Sequence, residues 1–289
     1  MENMEQLIVN GIITGSIIVL GAIGLTLTYG ILRFANFAHG DLMTLGAYAA
    51  LTLAGMNLPF GVVFVIAMAF TAAAGILLDT VLYRPLRKRG SIVLLISSIG
   101  AALLLRNLIL IIWGPRMRYY SPDIQIAYML PFGIRIKPDE ILIIGIAAAL
   151  IVLVHLFLKK TRIGKAMRAT ADNAELAQIA GINTDRVVMW TWGIGCALAA
   201  AAGILLGMEV QLRPQMGWDI LLPLFAAAIL GGIGRPYGAM AGGIIIGLSQ
   251  EISTAFISTA YKPAVSFAVL ILVLLIRPSG IFGKEGRWS

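Results

Sequence analysis

The sequence predicts an all-α, polytopic membrane protein with about 8–9 transmembrane helices. Composition is the first observation: 59% of the 289 residues are hydrophobic, only 12% are charged, and the mean hydropathy is +0.91. A soluble domain carries roughly 45–50% apolar residues. Run length is the second observation. Residues 7–30, 60–79, 91–112, 140–158 and 187–208 are low-charge stretches, each about 20 residues long, enough to cross a ~30 Å hydrocarbon core. Four shorter runs, 42–55, 220–234, 238–257 and 263–276, bring the hydrophobic segments to nine, with half-helices or re-entrant elements as the alternative reading of the short ones. The third observation is the glycine and alanine inside the segments, which lets helices approach closely where lipid supplies no hydrophobic drive.

Each connection carries its own signal. The leading MENMEQ has two Glu and no Lys or Arg, so the first run is read as a membrane segment rather than a signal peptide. "YRPLRKRG" (83–90) and "KKTRIGKAMR" (159–168) are strongly basic without an acid, and the tail adds Arg277, Lys284 and Arg287. Positive charge accumulates in cytoplasmic loops. The N-terminus is therefore expected outside and the C-terminus in the cytoplasm. The 113–139 connection then lies outside, its four basic residues balanced by Asp123 and Asp139. Basic residues placed beside membrane segments argue against a nucleic-acid partner. Cys196 lies inside a segment and reads as a small packing residue.

A weak internal repeat links "DLMTLGAYAALTLA" (41–54) to "DILLPLFAAAILGG" (219–232), and "GLTLTYG" (24–30) to "GILLGME" (203–209). Gly40 and Gly217 precede the two aspartates, with Trp218 as the one extra residue. The copies start the second and seventh of the nine segments, five steps apart, so they are expected to run in opposite directions. Inverted-topology repeats place a pathway at the repeat interface. The expected pathway residues are Asn36, His39, Gly40, Asp41, Thr44 and Tyr48 in one copy, and Met216, Gly217, Trp218 and Asp219 in the other. His39–Gly40–Asp41 and Met216–Asp219 are expected as paired helix breaks. A structural reading stays open for both aspartates, since a carboxylate near a helix N-terminus complements its dipole. Asn36 equally suits a hydrogen bond between helices.

Several chemistries have no support. No phosphate-binding G-x-x-x-x-G-K-[ST] occurs; "GIFGKEG" (280–286) has the wrong spacing. His39 and His155 are the only histidines, and no Cys/His/carboxylate set has metal-ligand spacing. No catalytic residue, metal or cofactor is expected, and a membrane enzyme is disfavoured. Asp79 and Arg106 lie near predicted segment ends and read as snorkelling or helix-terminal residues rather than a proton relay. Energy for movement is then expected from a separate protein. "TRIGKAMRATADNAELAQIAGINTDR" (161–186), inside a segment from 159 to 186, reads as an amphipathic docking helix for such a motor, with Gly181 at its C′ position. A solvated loop helix is the alternative.

The stretches "GLTLTYGILRFANFAHGDLMTLGAY", "TRIGKAMRATADNAELAQIAGIN", "PQMGWDILLPLFAAAILGGIGRPYGAMAGG" and "RPSGIFG" resemble the permease subunits of ABC importers for branched-chain amino acids. The resemblance covers about residues 7–283, and urea and short-chain amide permeases carry similar motifs. It implies a single transmembrane permease domain over 1–289, with repeat 1 at about 7–112 and repeat 2 at about 187–280. Two cytoplasmic ABC ATPase subunits, a second homologous permease forming a heterodimer, and an extracytoplasmic substrate-binding protein are the implied partners, in the inner cell membrane. The coupling helix would map to 164–181, involving Gly164, Arg168, Asp172, Asn173, Glu175 and Gly181. External docking would use 116–140 and 209–219. Urea or amide transport, or a stand-alone secondary transporter, are the competing readings.

Overall fold

The computed structural model of the chain describes residues 4–120, 126–129, 133–277 and 279–282. The described residues are mostly helical, with one two-residue antiparallel pairing of β1 (Tyr128–Met129) with β2 (Arg135–Ile136). Each of the nine hydrophobic segments forms a helix. In chain order these are α1 (Met4–Leu32), α2 (Ala38–Ala54) and α3 (Phe60–Leu78), then the short α4 (Arg84–Leu86) and α5 (Ser91–Trp113). There follow α6 (Pro138–Lys160), α7 (Arg162–Asp172), α8 (Ala174–Ile179), α9 (Thr184–Glu209), α10 (Met216–Gly231), α11 (Pro236–Ser253) and α12 (Lys262–Ile276). Six of the described helices are long and apolar enough to cross a membrane: Met4–Leu32, Phe60–Arg89, Ser91–Trp113, Pro138–Lys160, Thr184–Glu209 and Thr259–Ile276. With 16 residues, α10 is about 24 Å long, short of the ~30 Å core.

Helix ends follow local chemistry. Gly90 and Gly114 adopt φ of +99° and +79° and bound α5. Pro138 opens α6, where Glu140 accepts the Lys137 backbone N–H at 2.9 Å, and Lys159 and Lys160 close it, complementing the dipole at both ends. A π turn at Asp79–Tyr83 and α4 extend α3 into the basic loop.

At the centre lie α1 and α9. In each, 72% of the apolar stretch is buried, against 28% or less in the other four long helices. Antiparallel to α1 runs α11, with Gly11 against Leu248, Gly15 against Ile244 and Val19 against Gly243. Small residues spaced four apart on both helices permit this approach. The relation of α9 to α3 is similar: Trp192 stacks on Tyr83 at 5.1 Å, and Cys196 fills the space a Cβ on Gly75 would need. The second pair, α2 and α10, is placed alike. The neighbours of α2 are α3, α5 and α9, while those of α10 are α11, α12 and α1. Gly46 meets Ala200 in one half and Gly21 meets Leu224 in the other.

Two local expectations are corrected. His39–Gly40–Asp41 and Met216–Asp219 form the first turns of α2 and α10; the breaks lie just upstream, at 33–37 and 210–215. Side chains explain the early start of α2. Ser98 Oγ accepts the Phe37 N–H and Asn36 Oδ1 accepts the Ala38 N–H, both at 3.1 Å, so leading donors are met before His39. The 161–186 stretch is two helices, because extended Asn173 (φ −153°) ends α7 and caps α8 through its side chain.

Candidate translocation site and coupling surface

The first turns of α2 and α10 meet backbone to backbone. A Cβ on Gly40 would lie 2.3 Å from the Gly217 carbonyl oxygen, and one on Gly217 would lie 1.8 Å from that of Gly40. Only glycine fits either position. Thr44 Oγ1 accepts the Gly217 N–H at 3.0 Å, so a side chain of α2 satisfies a leading donor of α10.

Beside this crossing sits an ion pair within the apolar segments. Asp41 is fully buried, and Arg106 of α5 donates to it twice, Nε to Oδ1 at 3.0 Å and Nη2 to Oδ2 at 3.1 Å. The guanidinium carbon also lies 4.7 Å from the centre of the Trp218 ring. Arg106 therefore joins α2, α5 and α10. This replaces the expectation of a snorkelling residue. A charge at membrane depth is tolerated when it is paired inside the bundle. Asp79 is likewise paired, with Arg87, which also lies 3.9 Å from Asp185.

The remaining pathway residues separate into two groups. Buried ones include His39, whose Nε2 bonds the Gly21 carbonyl at 3.0 Å and whose ring fills the space beside Gly24. Asn36 accepts from the Tyr83 hydroxyl at 3.3 Å, and Tyr48 packs on Trp113 and joins a cluster with Met216. On the surface are Trp218, 40% exposed, and Asp219, whose carboxylate is 3.5 Å from Arg213. The structure thus brings Gly40, Asp41, Thr44, Gly217 and Trp218 together, and turns His39 and Asn36 toward neighbouring helices.

At the end of the molecule carrying Arg84, Arg87 and Lys159, α7 and α8 lie across the helix tips. Gly164 is buried against α6, where an added Cβ would lie 2.3 Å from the Phe157 oxygen, and Thr161 Oγ1 accepts its N–H at 2.9 Å. Arg33 Nη2 donates to the Ala171 carbonyl at 3.4 Å, tying α1 to α7. Arg168, Asp172, Asn173 and Glu175 are exposed. So are Leu176 and Ile179, at 63% and 83%, while Ala177 is the buried contact of α8. Gly181 adopts φ +85°; its N–H reaches the Gln178 carbonyl and that of Ile182 the Ala177 carbonyl, both at 3.0 Å, closing α8.

At the opposite end, Tyr120 donates to the Ala47 carbonyl at 2.8 Å, and burial pushes its hydroxyl pKa up, keeping it a neutral donor. Arg118 and Leu212 form an isolated antiparallel bridge. Glu251 pairs with Lys262. Sequence reasoning missed the Glu251–Lys262 pair, since only its opposite charges near segment ends hinted at it. The 116–140 stretch expected at external docking is described except for residues 121–125 and 130–132.

Paired short helices meeting beside a buried ion pair, with an exposed helix pair at one end, define a helical membrane transport domain. The family described as the permease component of the branched-chain amino acid transport system matches residues 7–274. The high-affinity branched-chain amino acid permease LivH of Escherichia coli K12 is 38% identical, with 96% of this chain and 95% of that protein covered. BraD of Pseudomonas aeruginosa is 36% identical at the same coverage, and the probable LivH of Methanocaldococcus jannaschii is 32% identical over 98% of this chain and 94% of its own length. A chain of the PsaBC–Fab complex from Streptococcus pneumoniae shares the fold alone, with a TM-score of 0.55, 15% identity and coverage of 95% and 92%. This chain belongs to the family of branched-chain amino acid transport permease components. It is the permease subunit of an ABC importer, a transporter part rather than an enzyme, and a multi-pass protein of the inner membrane. Such a permease works with ATPase and substrate-binding partners.

Proposed function

We propose that this permease carries aliphatic, branched-chain amino acids into the cytoplasm, along a path beside the Gly40–Gly217 crossing. The observation that carries the substrate is the 36–38% identity, over nearly the whole chain, to permeases named for branched-chain amino acids. The halves 7–112 and 187–280 act as inverted repeats, which the matched surroundings of α2 and α10 support. The basic end faces the cytoplasm and the N-terminus lies outside. Two ATPase subunits dock on α7 and α8, a second and different permease completes the membrane pore, and a binding protein delivers substrate from outside. ATP-driven closure of the ATPases rocks α7 and α8, and Arg33 passes that movement to α1. Asn36, His39, Tyr48 and Met216 hold the crossing in shape, while Trp218 and Asp219 face the path.

The coupling assignment has a direct test. Glu175→Arg, on the exposed first turn of α8, should lower binding-protein-stimulated ATPase activity of the assembled complex several-fold, with membrane insertion intact. Unchanged stimulation would remove α8 from the docking surface. The substrate class is read by binding of leucine, isoleucine, valine and urea to the partner binding protein. Tight binding of urea alone would replace the aliphatic reading.

A further inference from the structure

The end of the bundle opposite the basic loops holds three adjoining cavities, of about 630, 250 and 710 Å³, and Glu209 lines all three. Two neighbouring carboxylates are engaged. Glu140 accepts the Lys137 backbone N–H at 2.9 Å and lies 3.6 Å from the Lys137 ammonium. Glu251 accepts from the Thr14 hydroxyl at 3.0 Å and from the Lys262 ammonium at 2.6 Å. Glu209, at the last position of α9, has no hydrogen bond or ion pair among the described residues. It shares cavity walls with Glu140 and Glu251, each already paired with a lysine.

The 630 Å³ cavity adds an apolar wall to this carboxylate. Ala50, Leu58, Phe60, Val63 and Leu142 line it, with the half-exposed Lys137 at its rim. Its volume falls within the roughly 300–1,000 Å³ of small-molecule sites. The 250 Å³ cavity leads from Glu209 to Met216 and Asp219, the first turn of α10. A cation acceptor, an anion acceptor and an aliphatic wall thus share one chamber that opens toward the helix crossing.

We propose that this chamber is an entry site for the zwitterion of an aliphatic amino acid: Glu209 takes the ammonium, Lys137 the carboxylate, and the apolar wall the side chain. The assignment rests on the aliphatic substrate reading above. It is tested on the complete complex in proteoliposomes, with saturating leucine-loaded binding protein and separate readouts of leucine uptake and stimulated ATPase. Glu209→Gln should cut uptake about tenfold or more, the scale of losing a charged hydrogen-bond partner, with stimulated ATPase within about twofold. Glu209→Asp, which keeps the carboxylate, should retain most of the uptake. Wild-type uptake in Glu209→Gln would overturn the site. So would equal losses in the Gln and Asp variants, or uptake and ATPase falling together, which marks a docking residue. A wild-type complex that takes up no aliphatic amino acid overturns the substrate reading, and this site with it.

Discussion

Gly217→Ala should abolish uptake and lower the stability of the purified permease by about 3 kcal/mol or more, the upper end of overpacking costs. Two effects compete. Alanine gains up to about 1 kcal/mol over glycine within a helix. Against this, the new Cβ would lie 1.8 Å from the Gly40 carbonyl oxygen and 2.5 Å from Thr44 Oγ1. Both helices must separate, because the nearer clash is with backbone, which has no rotamer to change. The Thr44 bond to the Gly217 N–H would go with them. Gly100→Ala and Gly145→Ala are the controls, since nothing lies within 4 Å of a Cβ at either position. They should leave uptake and thermal unfolding in detergent close to wild type. Equal loss at Gly100 and Gly217 would show that the crossing has no special role.

Arg106→Met is expected to cost about 3–5 kcal/mol, because it strands a buried carboxylate. Asp41 has no exposure, so water cannot replace the lost guanidinium. The double variant Arg106→Met with Asp41→Leu removes both charges and should recover most of that stability. Apolar replacement of a whole buried pair is often neutral or stabilising. Uptake should stay low in the double variant if the pair and its contact with Trp218 hold the crossing in a working geometry. Thermal unfolding of the four proteins of this cycle gives the coupling energy. Additive losses would mean that the two side chains do not act as a pair.

The nine helices were legible because each depends on a local quantity, the length of a low-charge run. Gly181 as a helix stop was within reach as local turn chemistry, and Gly40 and Gly217 were singled out by the likeness of the two stretches that hold them. The partner of Asp41 was out of reach. Arg106 lies 65 residues away on another helix, and hydropathy says nothing about which faces meet. Read alone, Arg106 resembled a snorkelling residue. Helix starts were missed by a few residues for a similar reason, since Ser98, which accepts the Phe37 N–H, belongs to α5. The Asn173 break was the error that local reading could have avoided. An asparagine followed by a helical run is an N-cap signal, and here Asn173 Oδ1 accepts the Leu176 N–H at 3.0 Å. Glu209 was read only as the first residue of a docking stretch, since the cavities it lines are shared with carboxylates from α6 and α11.

The most direct test is uptake of leucine, isoleucine, valine and urea by proteoliposomes holding this permease with its partner permease and ATPases, with the binding protein added outside. ATP-dependent accumulation of the three amino acids, lost when either the ATPases or the binding protein are omitted, is the predicted result. Accumulation by this chain without ATPases, or of urea in place of the amino acids, would contradict it.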